Sequence, residues 1–282
     1  LYVDLKKMVV LLSRVLSRST QILFIVRPSV YQHHYFNFST DVVSTSIPQL
    51  TFENLLSDTN KLRAQQKLKA EIPVRTSKEY PLKQGHTYAA VLVPLCTVNG
   101  EPSMLFTLRS SSLKKHRGQV SFPGGNKEES DTDFTQTALR ETHEELGIAA
   151  SSFDVWGQMN PLPGSDGRKV IYPILARTAE VDVAHLNINH DEVEEAFCVS
   201  IKHLCDRRNI GATRFNEGPG YTLPVYLGAP HRIWGLTAVI VHQVLNILAP
   251  GMYEFKVRHK KSFFTKENLS KDVKIAQVSK DS

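Results

Sequence analysis

The corner Phe122-Pro123-Gly124-Gly125, together with the helix-like run that ends at Leu146-Gly147, constrains this chain more than any other stretch. Proline fixes φ, and the two glycines after it admit positive φ, so the backbone can turn sharply there and come close to a ligand. Residues 126–137 are acidic and rich in Ser and Thr, and they offer Asp131, Thr132 and Asp133 as candidate N-caps for a helix starting nearby. From Ala138 to Ile148 the spacing is helical: Leu139, Thr142 and Leu146 share one face, the carboxylates take another, and Gly147 is a natural C′ stop.

On that helix Glu141, Glu144 and Glu145 stand at i, i+3 and i+4, which places three carboxylates within an arc of about 100°. Each adjacent like-charge pair costs a few tenths of a kcal/mol. An isolated E-x-x-E-E is ordinarily a solvated face. Here the glycine corner beside it points instead to a close approach, and a divalent cation resolves the repulsion. Hard oxygen ligands of this kind suit Mg²⁺ or Mn²⁺, which keep some waters and bridge to phosphates.

The pattern GG-x(n)-R-E-x-x-E-E-x-G-U resembles the Nudix box, the signature of hydrolases that cleave nucleoside diphosphates linked to another moiety. Arg140, Glu141, Glu144, Glu145, Gly147 and Ile148 match its carboxyl half. In the amino half, counting back from Arg140 puts Asn126 at the usual glycine and Thr132 at the usual glutamate. Counting forward from Gly125 puts Asp131 in the glutamate slot. One extra residue after Gly125 explains both, and Asp131 is taken as the acidic partner of Arg140. Upstream, Leu105-Phe106-Thr107-Leu108-Arg109-Ser110, Lys114, Gly118 and the corner resemble the signature of the Nudix subgroup that hydrolyses coenzyme A and its thioesters. Lys114 stands where that signature has arginine, keeping the charge and losing the bidentate fork. Ile233-Trp234-Gly235-Leu236-Thr237-Ala238 is similar to that subgroup's C-terminal helix start.

The resemblance implies an α/β fold of the Nudix type, an α/β/α sandwich with a mixed sheet. It implies hydrolysis of the diphosphate in coenzyme A or acyl-CoA, giving 3′,5′-ADP and (acyl-)4′-phosphopantetheine, with Mg²⁺ or Mn²⁺ as cofactor. Glu141 and Glu145, one turn apart, are the expected metal ligands. Glu144 is the expected catalytic residue, as a further ligand or the water-activating base, and Arg140 orients the carboxylates. Arg109 and Lys114, with Gly124 and Gly125, are the expected substrate-binding residues, whereas Lys115 and His116 read as solvated. Two alternatives stand beside this: a Nudix enzyme for another substrate such as ADP-ribose or NADH, and a non-catalytic nucleotide-binding module. The intact glutamate trio argues against the second.

With 282 residues, 41% of them hydrophobic, the chain suffices for one domain with extensions. Its net charge of +6 is carried by the ends, because residues 1–50 contribute +3 and residues 251–282 contribute +4, which leaves the middle at −1. A basic nucleic-acid-binding face is therefore not expected. Cys96, Cys198 and Cys205 lack metal or disulfide spacing and read as small buried hydrophobes. Residues 1–7 precede the first methionine and are set aside as outside the natural start. Residues 8–40 hold no acid and are punctuated by Arg14, Arg18 and Arg27, the composition of a mitochondrial presequence. The apolar run Ile22 to Val26 is far short of the roughly 20 residues a membrane anchor needs.

The expected organisation is a presequence at 1–45, an N-terminal helical extension at 46–85, a hydrolase domain at 86–250 and a basic, peripheral tail at 251–282. Within it, the pattern predicts a helix over 54–69, a hairpin of 88–96 and 103–109 turning at Asn99-Gly100, strands over 154–159 and 170–176, and a helix over 235–248. The loop holding Pro161, Pro163, Gly164 and Gly167 is read as lining a pocket. The acidic cluster Asp191 to Glu195 precedes a further strand, and Glu192 is its candidate for an extra metal or base contributor.

Overall fold

The strand Thr87–Val98 (β1) is apolar on both faces and runs down the middle of the structure. Asn99 at φ 50° and Gly100 at φ 76° turn it into β2 (Glu101–Arg109) through the tight connection whose twist suits a hairpin. The two strands pair antiparallel from Val98↔Glu101 to Leu95↔Met104 and then part. Into the split come β3 (Val120–Ser121), paired with Thr107 and Leu108 of β2, and β4 (Gly124–Asn126), paired with Ala89 to Val91 of β1. The glycine corner is thus wedged between the two arms of the central hairpin. Helix α2, residues Phe134–Leu146, follows it; α1, residues Asp58–Glu71, precedes the sheet.

Beyond α2 the chain adds β5 (Asp154–Gln158), β6 (Leu162–Pro163) and β7 (Lys169–Glu180), then β8 (Val193–Ser200) and the short α3 (Ile201–Cys205). β7 runs parallel to β1 along its length, while the other pairings are antiparallel, so the sheet is mixed. Its order is β3-β2-β1-β7-β5, with β8 along the other edge of β2. A separate ribbon of β9 (Ile210–Phe215) and β10 (Tyr221–Tyr226) leads to α4 (Gly235–Leu248). The sequence pattern did not announce this ribbon, since Pro224 and Gly211 interrupt its β-formers. Part of the loop read as pocket lining is strand, because Leu162 and Pro163 pair with Ile171 and Val170. The computed structural model describes residues 49–71, 85–112, 117–164, 168–215 and 221–255. The segment 1–45 expected to be a presequence, Lys114 with Lys115 and His116, and the tail beyond Phe255 lie outside the described residues.

Leu146, Leu105, Val193 and Ala138 form the apolar layers under α2 on one face of the sheet. On the other face Phe106, Phe122, Phe197 and Val199 meet α4 and α1. The α1 segment is built into this core: Leu55, Leu56, Ala64 and Leu68 are buried. Its polar residues reach the end of α4. Asn60 Nδ2 donates to Leu248 O at 3.0 Å, Arg63 Nη2 to Ile247 O at 2.8 Å, and Lys67 Nζ to Asn246 O at 2.7 Å. These carbonyls have no partner inside their own helix, so α1 caps α4 from outside. The chain past Pro250, expected to be peripheral, returns to the core at Tyr253, which bonds Tyr226 Oη and His242 Nδ1, each at 2.8 Å.

Candidate active site

Of the three candidate caps Asp133 starts helix α2, its side chain accepting from Gln136 N at 2.8 Å, and the helix stops at Gly147 with φ 71°. Its acidic arc is not uniformly solvated. Glu145 is only 2% exposed, Glu141 is half-buried, and Glu144 faces water. The corner makes room for this arrangement. Gly124 N donates to Glu145 Oε2 at 3.2 Å. A Cβ on Gly125 would stand 2.4 Å from the Glu141 carboxylate, while one on Gly124, where φ is +150°, would stand 2.3 Å from the Ala90 carbonyl oxygen.

Glu192 completes the group: one carboxylate oxygen from each of Glu141, Glu145 and Glu192 lies within 4.8 Å of the others. Glu192 is aimed by the turn before β8, where its N–H bonds Asn189 O at 3.1 Å and its own carbonyl accepts from Ser110 N at 2.9 Å. The acidic run Asp191 to Glu195 was the signal in the sequence, and Glu192 is the member of it that reaches the site. Glu144 does not join the three; it pairs with Arg140 Nη1 at 3.1 Å.

Burial pushes the Glu145 carboxyl up to about 8, with Glu141 and Glu192 adding to the rise and the Gly124 N–H and the Arg109 charge opposing it. Glu141 is also raised, first by burial, against the pull of Arg140. Arg109 ends β2, where its N–H bonds Gln119 O and its carbonyl accepts from Gly118 N, each at 3.0 Å, closing the loop between them.

Arg140 ties the rim together. Its Nε and Nη2 reach Asp131 Oδ1 and Oδ2 at 3.0 Å each, Nη1 reaches Glu141 Oε1 at 3.2 Å, and Nη2 donates to Asn126 O at 3.1 Å. Asp131 also accepts from Glu128 N and Thr137 Oγ1, each at 2.9 Å. The hydrogen bonds from Arg140 hold its carboxyl well below the usual range despite burial. Thr132 is exposed and, among the described residues, bonds Gln136. Asp131, then, is the acid that faces the arginine.

Three carboxylates, two of them withdrawn from water, form a set that hard divalent cations match and that their mutual repulsion disfavours without one. Residues 86–217 match the NUDIX domain. The chain is 49% identical over 169 residues to the mitochondrial coenzyme A diphosphatase NUDT8 of Mus musculus, covering 59% of this chain and 80% of that protein. It is equally 49% identical over 169 residues to the Homo sapiens protein of the same description, covering 59% and 71%. Nudix hydrolase 3 of Caenorhabditis elegans is 37% identical over 182 residues, covering 58% and 75%. This chain belongs to the Nudix hydrolase family.

Nudix hydrolases need divalent metal ions, and the donor set of this Nudix hydrolase fits one. The matched segment takes in Arg109, the glycine corner, α2 and Glu192, whereas α1 and α4 fall outside it. Its mixed sheet between helices is the architecture the box implied. No helix among the described residues is long and apolar enough to cross a membrane.

Proposed function

We propose that this Nudix hydrolase cleaves the diphosphate linkage of coenzyme A and acyl-CoA, giving 3′,5′-ADP and (acyl-)4′-phosphopantetheine. The observation that carries the reading is the 49% identity over 169 residues to proteins described as mitochondrial coenzyme A diphosphatases. Glu141, Glu145 and Glu192 hold the metal, Mg²⁺ or Mn²⁺. When bound, that ion neutralises phosphate oxygens and lowers the pKa of a water. Glu144 stands at the solvent edge of the same arc and takes the proton of the attacking water once it turns from Arg140. Arg140 fixes Glu141 through the rigid Asp131 pair. Gly124 and Gly125 leave space for the diphosphate to lie against the carboxylates, and Arg109 and Lys114 supply positive charge to its oxygens.

The relatives named as mitochondrial, together with the acid-free, arginine-punctuated composition of residues 8–40, support a mitochondrial location. A panel of coenzyme A, 3′-dephospho-coenzyme A, ADP-ribose and NADH with Mg²⁺ or Mn²⁺ tests the activity by product identification. Coenzyme A is expected to react best, releasing 3′,5′-ADP; preference for ADP-ribose would overturn the substrate assignment. Glu144→Gln should keep metal affinity and lose turnover, whereas Glu145→Gln should lose both.

A further inference from the structure

Two of the three large hydrophobic side chains that the described residues leave in water, Leu227 and Trp234, at 43% and 42% exposure, fall on one small surface. Tyr226 and Ile233 exchange backbone hydrogen bonds, 2.8 Å from Tyr226 N to Ile233 O and 3.0 Å in return, and both side chains are fully buried. In an antiparallel pair the neighbouring positions point the other way, so exposed Leu227 falls opposite Arg232, and Trp234 opposite the buried Val225. The Arg232 guanidinium lies 5.6 Å above the Trp234 ring. Arg232 has no carboxylate partner among the described residues. Trp234 also occupies the N-cap of α4 and provides no capping hydrogen bond, where a serine or aspartate would provide one. Neither folding nor capping accounts for a tryptophan here.

The segment is held from two sides. His231 Nε2 bonds Glu195 Oε2 at 2.8 Å, and Thr237 Oγ1 donates to Val120 O at 2.9 Å. Glu195 and Val120 flank Leu108 on either edge of β2, one residue before Arg109. Trp234 and Arg232 therefore stand at the same end of the sheet as Arg109 and Glu192, on the opposite face. A substrate whose diphosphate lies at the carboxylates has two arms, and one of them can cross the end of β2 to this surface. A flat aromatic ring carrying a guanidinium matches a purine with a nearby phosphate: the ring stacks the base and the cation answers the charge.

We propose that Trp234 and Arg232 form the subsite for the adenine and 3′-phosphate of the nucleotide arm. This rests on the coenzyme A reading above. The chain contains two tryptophans, and the other, Trp156, is 3% exposed, so tryptophan emission reports ligand stacking at Trp234 without turnover. Titration of the full chain with 3′,5′-ADP should quench the emission of the parent and of Trp156→Phe but not of Trp234→Phe. By calorimetry, Trp234→Ala should weaken 3′,5′-ADP binding about ten- to a hundredfold and leave 4′-phosphopantetheine unchanged. Arg232→Gln should shrink the preference for 3′,5′-ADP over 5′-AMP. Quenching by 4′-phosphopantetheine alone would give the surface to the other arm and overturn the proposal. If coenzyme A is hydrolysed with unaltered KM by Trp234→Ala and 3′,5′-ADP quenches nothing, the subsite is refuted while the activity stands. If coenzyme A is neither bound nor cleaved, the substrate reading itself fails, and the subsite with it.

Discussion

Replacing Asp131 by Asn tests whether the displaced acid of the box carries the load that its position suggests. Four donors converge on the Asp131 carboxylate: Arg140 Nε and Nη2, Glu128 N and Thr137 Oγ1. An amide of the same shape turns one acceptor oxygen into an NH₂ group aimed at donors. Breaking a buried ion pair by removing one partner costs about 3–5 kcal/mol. Arg140 is 21% exposed and keeps Glu141 and Glu144, so the cost falls to or just below that range's lower end, about 2–3 kcal/mol. At about 2–4 °C per kcal/mol for a domain of this size, Tm should fall by roughly 4–12 °C. Because Asp131 is held below its ordinary value, its contribution is complete above pH ~4 and is lost as pH falls further. The difference between parent and variant should therefore shrink in acid. Thr132→Ala, at the position reached by counting back from Arg140, should change Tm by no more than about 2–4 °C, the effect of ~1 kcal/mol. Calorimetric scans of the three proteins at pH 7 decide the matter. An Asp131→Asn Tm within 2 °C of the parent, or a Thr132→Ala loss as large, would refute the reasoning.

Three further outcomes are expected. In metal-free protein, the raised Glu145 carboxyl contributes stability that is complete below about pH 4.5 and lost as pH rises through about 8. Tm should fall from pH 5 to 9, less so in Glu145→Gln, and added Mg²⁺ should restore most at the alkaline end; equal pH profiles for parent and Glu145→Gln would count against the buried cluster. Leu55→Ala, at a fully buried position, should cost about 2–5 kcal/mol in urea unfolding, and Arg63→Ala, which strips donors from Ile247 O and Leu248 O, about 1–3 kcal/mol; negligible losses would mean that α1 is dispensable. Residues 8–45 fused to a fluorescent reporter should carry it into mitochondria, and a cytosolic reporter would sink the targeting assignment.

What could be read from the sequence was whatever short-range chemistry dictates. The Asn99-Gly100 turn, the Gly147 stop and the α4 span needed only local propensity, and each stands where its residues place it, while the N-cap falls on Asp133, one of three residues that propensity offered. The strand expected at 170–176 runs longer, Lys169–Glu180, because parallel pairing with β1 extends it. That pairing joins Thr87 to Lys169, 82 residues apart, and leaves no local trace. The same holds for α1. Its apolar positions suggested a helix, but its role depends on carbonyls of α4 nearly 190 residues away. At the site, helical spacing predicted that Glu141 and Glu145 share an arc; it could not say that Glu145 would be buried and Glu144 exposed, since that depends on which side the corner presses.

The two glycines of the corner are required for unlike reasons. A side chain at Gly124 would strike the backbone of β1, which cannot step aside without undoing the sheet, so replacing it threatens the architecture. At Gly125 the nearest atoms a side chain would meet are the carboxylate tip of Glu141, which can swing away. A descendant of this protein could therefore lose Gly125, keep its fold and its melting temperature, and give up only the geometry of its acid cluster. Shortening Glu141 to Asp in the same chain would withdraw the colliding carboxylate by one methylene, which makes position 125 the place where this fold can part from its chemistry and where the two can be rejoined.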